Sequence, residues 1–304
     1  MMDQVLLFYV FVATGIVTKK LFGDKIDNKK ITKLTVFFFQ PILVFWGLSR
    51  MPLSPTVWKL SVLYFVVMAV AGLIFYLIGR VHIKDAKLRS IFMFAGTNGN
   101  TGNIGIPMGL AVFGPYSVIY TTMINFANVV WNFLFGVYIY SRGESSVTES
   151  IKNIFKMPIL WSGIIAVTLN LYGYKFSEDI MQYLKYGAYL SIFMQLFLLG
   201  LFIAEVKVKK IHWPMNVWTI FAKFMILPAL GLLGLYLSER FLDFAVPTLI
   251  KQIFMLQLFV PLAVNNVNLA SLFNCKPRIV SELVFFTTLL FLLVSPVVFR
   301  LFNF

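Results

Sequence analysis

Acidic side chains are scarce in this chain. Its 304 residues carry 12 Asp and Glu against 26 Lys and Arg, and only 12% are charged, where a soluble domain carries about a quarter. No Asp or Glu falls deep in an apolar run, so a proton route through a buried carboxylate finds no carrier. Cysteine is represented by Cys275 alone, which excludes an intramolecular disulfide and is expected to be an ordinary small loop residue. His82 and His212 are the two histidines, and no H-E-x-x-H pattern or Walker-type phosphate loop is present. Zinc hydrolase and ATP-driven pump readings therefore lack their motifs, and no buried aspartate pair suits an intramembrane protease. The chain is not expected to be an enzyme or to need a cofactor or metal.

What is abundant is apolar surface: 60% of residues are hydrophobic, with 33 Phe. Soluble cores stop growing near about 250–300 residues, so no single water-excluding core would hide this much. A lipid bilayer would. The net charge of +14 raises the question of nucleic acid, but the basic residues fall in short clusters between apolar runs, not on one reading face. No nucleic-acid partner is expected.

Runs long enough to cross hydrocarbon, about 20 residues each, fall near 4–22, 31–49, 57–79, 88–113, 117–141, 157–173, 181–204, 215–238, 245–272 and 277–302. That makes ten, the sixth being short. The N-terminus lacks the basic region of a secretory signal, so the first run is expected to stay as a spanning helix. Connections after runs 1, 3, 5, 7 and 9 hold 18 Lys and Arg against 7 on the other side. The richer side is then cytoplasmic, and both termini face outward across the plasma membrane. Trp58, Trp161, Trp213 and Trp218 fall where interfacial anchors are favoured.

The ten runs read as five repeated upside down: residues 1–143, a polar cytoplasmic linker at 144–156, and residues 157–304. The run at 31–49 recurs near 185–203, and Pro107 in run 4 has its counterpart in Pro261 of run 9. An odd number of spans per repeat inverts the second copy, a recurring transporter plan with broken helices at the repeat interface. The expected fold is all-α and polytopic, with helices 4 and 9 broken and crossing.

Run 4 carries Asn98-Gly99-Asn100-Thr101-Gly102-Asn103-Ile104-Gly105-Ile106-Pro107. Each Gly weakens a helix by about 1 kcal/mol and an interior Pro by about 3, so Gly99, Gly102, Gly105 and Pro107 argue for a break. Pro107 also removes the donor that the Asn103 carbonyl would meet. Polar groups left in hydrocarbon cost several kcal/mol each, so the segment must be buried in protein or line a cavity. Close helix packing through Gly105-x-x-x-Gly109 explains the glycines but not the asparagines. Run 9 repeats the pattern with Gln257, Pro261, Asn265, Asn266 and Asn268. Half-helix N-termini meeting near the midplane suit a small anion, whereas freed carbonyls, with Asn103 and Gln257 as candidate ligands, suit Na⁺.

Asn125, Asn128 and Asn132 share one face of run 5 and serve either helix packing or cavity lining. Gln40-Pro41 and Gln195 occupy matching repeat positions. Lys223 lies inside run 8, either offering positive charge to an anionic substrate or snorkelling to the cytoplasmic interface. Glu205 and Glu282, near cytoplasmic helix ends, are expected at the interface.

Asn100-Thr101-Gly102-Asn103-Ile104-Gly105-Ile106-Pro107 resembles the signature of the auxin efflux carrier family, and Pro261-Leu262-Ala263-Val264-Asn265, followed by Pro277 and Pro296, is similar to its last two helices. The likeness spans essentially the whole chain. It implies ten helices in two inverted repeats, a scaffold of helices 1, 2, 6 and 7 that also forms a homodimer, and a mobile unit of the other six. It further implies a fold related to the sodium–bile acid symporters and an elevator-like movement. Asn100 and Pro107 match the first broken helix and Pro261 the second; Glu282 and the doubled Asn265-Asn266 depart from the pattern. The expected function is secondary transport of a small organic anion, such as a malate-like dicarboxylate, coupled to Na⁺ or H⁺ or to neither. Asn98, Asn100, Thr101, Asn103, Asn128, Asn265, Asn266 and Lys223 are the candidate substrate residues, and Gly102, Gly105, Pro107 and Pro261 the helix-breaking set. A membrane receptor that binds such a ligand without moving it is the alternative from another class.

Overall fold

The computed structural model describes residues 2–141, 155–206, 211–242 and 244–301. Most of the expected linker at 144–156 falls outside these residues, as do Arg142, Lys152, Lys207, Lys209 and Lys210. Among the described residues the chain is helical, with a lone antiparallel bridge between Gly99 and Leu262 and no named strand.

In chain order, α1 is Met2–Phe22, and α2 runs through Asn28–Leu34, a π turn at Thr35–Phe39 and Gln40–Ser49. Then come α3 (Pro55–His82) and α4 (Ala86–Thr97). Next, α5 is Thr101–Phe113 and α6 is Ser117–Tyr140. The second part holds α7 (Pro158–Leu171), α8 (Glu178–Glu205) and α9 (Trp213–Phe241). It ends with α10 (Thr248–Phe259), α11 (Asn265–Leu272) and α12 (Pro277–Leu301). Helix starts follow from local chemistry. Asp27, Asp85, Ser177 and His212 accept N–H groups of the first turn as N-caps, and Pro55, Pro158 and Pro214 stand where the missing N–H has no partner to lose.

Six of these helices are long and apolar enough to cross a bilayer. Their outer faces agree with that. Along α3, Val62, Val66, Val70, Leu73 and Leu77 form an exposed apolar stripe at helical spacing, and α9 does the same with Met225, Leu232, Leu233 and Tyr236. Soluble proteins rarely expose continuous apolar faces of this kind; in lipid they are the solvated surface. Runs 4 and 9 of the sequence each become two helices, α4 and α5, and α10 and α11.

Two buried apolar clusters organise the interior. The larger draws on α3, α4, α6, α9, α10 and α12. The smaller joins Phe8 and Val12 of α1, Leu43 and Trp46 of α2 and Leu196 and Leu199 of α8 to Ile104–Val112 of α5. Within the second group, α1 lies along α8 at backbone distance. A Cβ on Gly15 would collide with the Phe197 carbonyl, and one on Gly200 with the Val12 carbonyl. Small residues at such a crossing let helices approach closely in lipid, where van der Waals contact drives association. Gly200→Val should therefore separate α1 from α8 and lower stability by about 1–3 kcal/mol, read as a drop in the thermal unfolding midpoint in detergent. An unchanged midpoint would show that the close approach is dispensable.

The charged side of the molecule is tied as well. The Lys276 ammonium donates to Asp85 Oδ2 at 2.6 Å, joining the start of α4 to the turn before α12. The bond from Lys276, together with the Leu88 N–H, holds the Asp85 carboxyl below its ordinary value. A depressed folded value means the contribution is present above the unfolded pKa, about 3.9, and is lost as pH falls through the folded one. Wild type should lose more stability than Asp85→Asn when the midpoint is followed from about pH 5 down to about pH 3; parallel curves would contradict this.

Candidate functional site

The helical pattern of α4 stops at Thr97, and the chain runs extended through Asn98, Gly99 and Asn100 before α5 begins with a π turn at Thr101–Gly105. In α10 the stop comes at Phe259, and Val260 to Val264 lead into α11. The two gaps lie side by side. Asn100 N–H donates to the Pro261 carbonyl at 2.8 Å and Ala263 N–H to the Asn98 carbonyl at 3.0 Å, closing the bridge between Gly99 and Leu262. The Leu262 N–H meets Thr287 Oγ1 of α12 at 3.4 Å. Each break thus supplies the hydrogen-bond partners that the other lacks.

The prolines act differently from one another. Pro261 sits inside its gap. Pro107 does not mark the first gap, which lies seven or more residues earlier; it occupies the opening turn of the α-helical part of α5, where a missing N–H is tolerated. At Gly99 the packing is close, since a Cβ there would stand 2.8 Å from Lys223 Nζ and 3.1 Å from Val260 Cγ2. Gly102 and Gly105 likewise have no room, facing the Asn125 and Gln257 side chains.

Asn98 is the hub of the side-chain network. Its Nδ2 donates to Asn132 Oδ1 at 3.0 Å and Asn266 Oδ1 at 3.1 Å, and its Oδ1 accepts from Asn128 Nδ2 at 3.3 Å. Asn128 also donates to the Gly99 carbonyl at 3.0 Å and accepts from Tyr64 Oη at 3.2 Å. Asn266 returns a bond to the Asn98 carbonyl at 3.2 Å. Nearby, Thr101 Oγ1 donates to Asn125 Oδ1 at 2.9 Å, and Gln40 Nε2 of α2 to Asn103 Oδ1 at 2.7 Å. The asparagine face of α6 therefore both packs and lines, the two uses the sequence leaves open.

These groups form one end of a cavity of about 780 Å³, within the usual range for small-molecule sites. Asn98, Asn100, Thr101, Gly102, Asn103, Asn125, Asn128, Asn132 and Asn265 line it; so do Asn28, Lys33, Glu205, Arg278 and Glu282. The N-terminal turns of α5 and α11 both contribute lining, and the first N–H groups of a helix have no acceptor within it. Asn100 Nδ2 is buried without a hydrogen-bond partner among the described residues. The charged lining residues belong to helix ends on the lysine-rich side; there Lys19 pairs with Glu205 at 3.4 Å and Arg278 with Glu282 at 3.3 Å.

Four candidates are placed otherwise than the sequence suggests. Lys223 neither lines the cavity nor snorkels: it is 0% exposed and lies behind the break, against Gly99. Gln257 is buried against Gly105 with neither side-chain amide atom partnered among the described residues, while Asn103 Oδ1 accepts from Gln40, so of the two candidate cation ligands Asn103 is already engaged and Gln257 is not. Glu282, near the start of α12, is buried at 1% exposure, accepting the His212 N–H at 3.1 Å. Asn266 bonds the network and does not line the cavity. The sequence reading missed Tyr64 and Trp131, which fix Asn128 and Thr97; lone aromatics in apolar runs carry no distinguishing signal.

Apolar faces of spanning length around an internal polar cavity at paired helix breaks are those of a multi-pass membrane protein with a buried polar site. The chain matches the family described as membrane transport protein over residues 2–299 and belongs to it; this is the auxin efflux carrier family that the Asn100–Pro107 motif resembles. It is also similar to an uncharacterized transporter of Methanocaldococcus jannaschii, 27% identical over 306 residues and covering 96% of each chain.

Removing the hub should cost more than removing a lining group. Asn98→Ala leaves the buried Asn132 and Asn128 amides short of partners, at about 1–3 kcal/mol for each unsatisfied group. The unfolding midpoint of Asn98→Ala should fall clearly below that of Asn265→Ala, and equal midpoints would remove Asn98 from its central place.

Proposed function

We propose that this transporter is a secondary carrier for a small organic anion, of the malate-like dicarboxylate or other carboxylate class, working by alternating access about the paired breaks. The observation that carries the reading is the composition of the cavity's inner end: amides, a threonine hydroxyl and the leading turns of two half-helices, with no carboxylate among them. Helix N-termini hold positive partial charge and free N–H donors, which suit a carboxylate more than a cation. In the wider lining Lys33 and Arg278 stand with Glu205 and Glu282, so the way in is charged but of mixed sign.

On this reading the chain forms two inverted five-helix repeats, 1–143 and 157–304, joined through 144–156. The pair α4–α5 then corresponds to α10–α11. Helices α1, α2, α7 and α8 form the scaffold and dimer surface, and the rest move as an elevator unit. With the lysine-rich side cytoplasmic, the cavity faces inward. Substrate contacts fall to Asn100, Thr101, Asn103 and Asn265, with Asn98, Asn128 and Asn266 holding the breaks in register. The coupling ion is Na⁺, for which Gln257 offers an unpartnered amide oxygen, or H⁺.

Reconstituted protein should take up labelled malate, and Asn100→Ala and Asn265→Ala should each lower the rate at least about tenfold, the loss of one or two charge-assisted hydrogen bonds. Unchanged uptake in both variants would move the site elsewhere.

A further inference from the structure

One face of α9 carries polar residues that the cavity does not use. His212, Asn216, Thr219 and Lys223 follow at spacings of four, three and four, which aligns them along the helix. Asn216, Thr219 and Lys223 are 1%, 0% and 0% exposed. Each keeps a polar atom with no hydrogen-bond partner among the described residues: Asn216 Oδ1, Thr219 Oγ1 and Lys223 Nζ. The first segment of α9 packs against α4 and α12, and α12 adds Thr288, whose buried Oγ1 is also unpartnered. Buried polar atoms are overwhelmingly paired in proteins, so three along one face of α9, with a fourth on a helix packed against it, mark a path that water can satisfy.

The stripe has two ends. At the first, the backbone N–H of His212 bonds Glu282, a buried carboxylate that lines the cavity. At the second, Lys223 sits in the π turn Ala222–Ile226, packed on α4 and α10, the two half-helices that stop at the breaks. Helix C-termini carry negative partial charge, and Lys223 Nζ lies against the first break with no hydrogen-bond partner among the described residues. Ionisable side chains inside a membrane span are functional candidates by default, and Lys223 Nζ has no such partner among the described residues to explain it.

We propose that Lys223 takes up and returns the proton that accompanies transport, with Asn216, Thr219 and Thr288 lining its path to Glu282 and the cavity mouth. The amine lone pair accepts a proton from a protonated water in the stripe, leaving an ammonium and a neutral water; the reverse step restores both. An anion in the cavity and an ammonium behind Gly99 flank the same breaks, so one proton moves with the anion. Other charged groups on the packed elements lie away from Nζ. Arg89 stands ten residues before Gly99 on α4, about 15 Å of helix rise, with Lys87 beyond it. On α10, Lys251 pairs with Glu239 of the distal end of α9 at 2.6 Å, and on α12 Arg278 pairs with Glu282.

This inference rests on the carrier reading, and two measurements separate the failures. In a Cys275→Ala background, Thr219→Cys should react with 2-aminoethyl methanethiosulfonate added from the aqueous phase, seen as a mass shift of the intact protein. Leu227→Cys, equally buried on the same helix, should stay unmodified. A Thr219→Cys as inert as Leu227→Cys overturns the proton path whatever the substrate. In proteoliposomes without Na⁺, an inward proton gradient should speed labelled malate uptake by wild type at least fivefold and by Lys223→Met less than twofold. A fivefold response kept in Lys223→Met overturns the role of Lys223. Absence of malate uptake by wild type counts against the anion reading alone, and the thiol result then decides the path.

Discussion

Backbone groups inside a bilayer have no water to meet them, and each left unsatisfied costs several kcal/mol. The architecture depends on how this chain answers that constraint at its two helix breaks. Neither gap is tolerable alone. Together they form a minimal antiparallel pair, Asn100 N–H to the Pro261 carbonyl and Ala263 N–H to the Asn98 carbonyl. The pairing also sets the direction of four half-helix ends: the leading turns of α5 and α11 contribute to the cavity, and the carbonyl ends of α4 and α10 lie near Lys223.

The surrounding side chains serve that pairing before they serve a ligand. Asn98, Asn128, Asn132 and Asn266 hydrogen-bond through their side chains and hold α4, α6 and α11 around the breaks, while Asn100 Nδ2 has no partner among the described residues. A connected buried network favours one arrangement, because any shift orphans several groups at once. The close approach of α1 and α8 through Gly15 and Gly200 has a different character. It is backbone packing without polar content.

Much of this was legible in the amino-acid order. Hydropathy marks the spanning segments, and the clustering of Gly, Pro and Asn at 98–107 and 257–268 marks both breaks. The exact stopping points were not legible. Helix propensity counts Pro107 as the strongest breaker, yet the chain opens where Gly99 can lie against Leu262, and Pro107 falls in a first turn that needs no N–H. Lys223 and Glu282 show a second limit. Hydropathy reads a charged residue near a helix end as interfacial, whereas a π turn at Ala222–Ile226 and the packing of α9 on α12 bury these two. Tyr64 and Gln40 join the network through tertiary contacts alone. The Asn216–Thr219–Lys223 spacing was readable, but its meaning required knowing that all three turn inward without partners.

The central claim is that the cavity moves its ligand across the membrane and does not merely hold it. Counterflow tests this most directly. Vesicles containing the protein and loaded with unlabelled dicarboxylate are diluted into a trace of the labelled compound. A carrier of this design gives a transient accumulation of label above equilibrium, as the internal pool drives exchange through the paired breaks. Saturable binding of the label with no such overshoot would contradict the account and leave a receptor in its place.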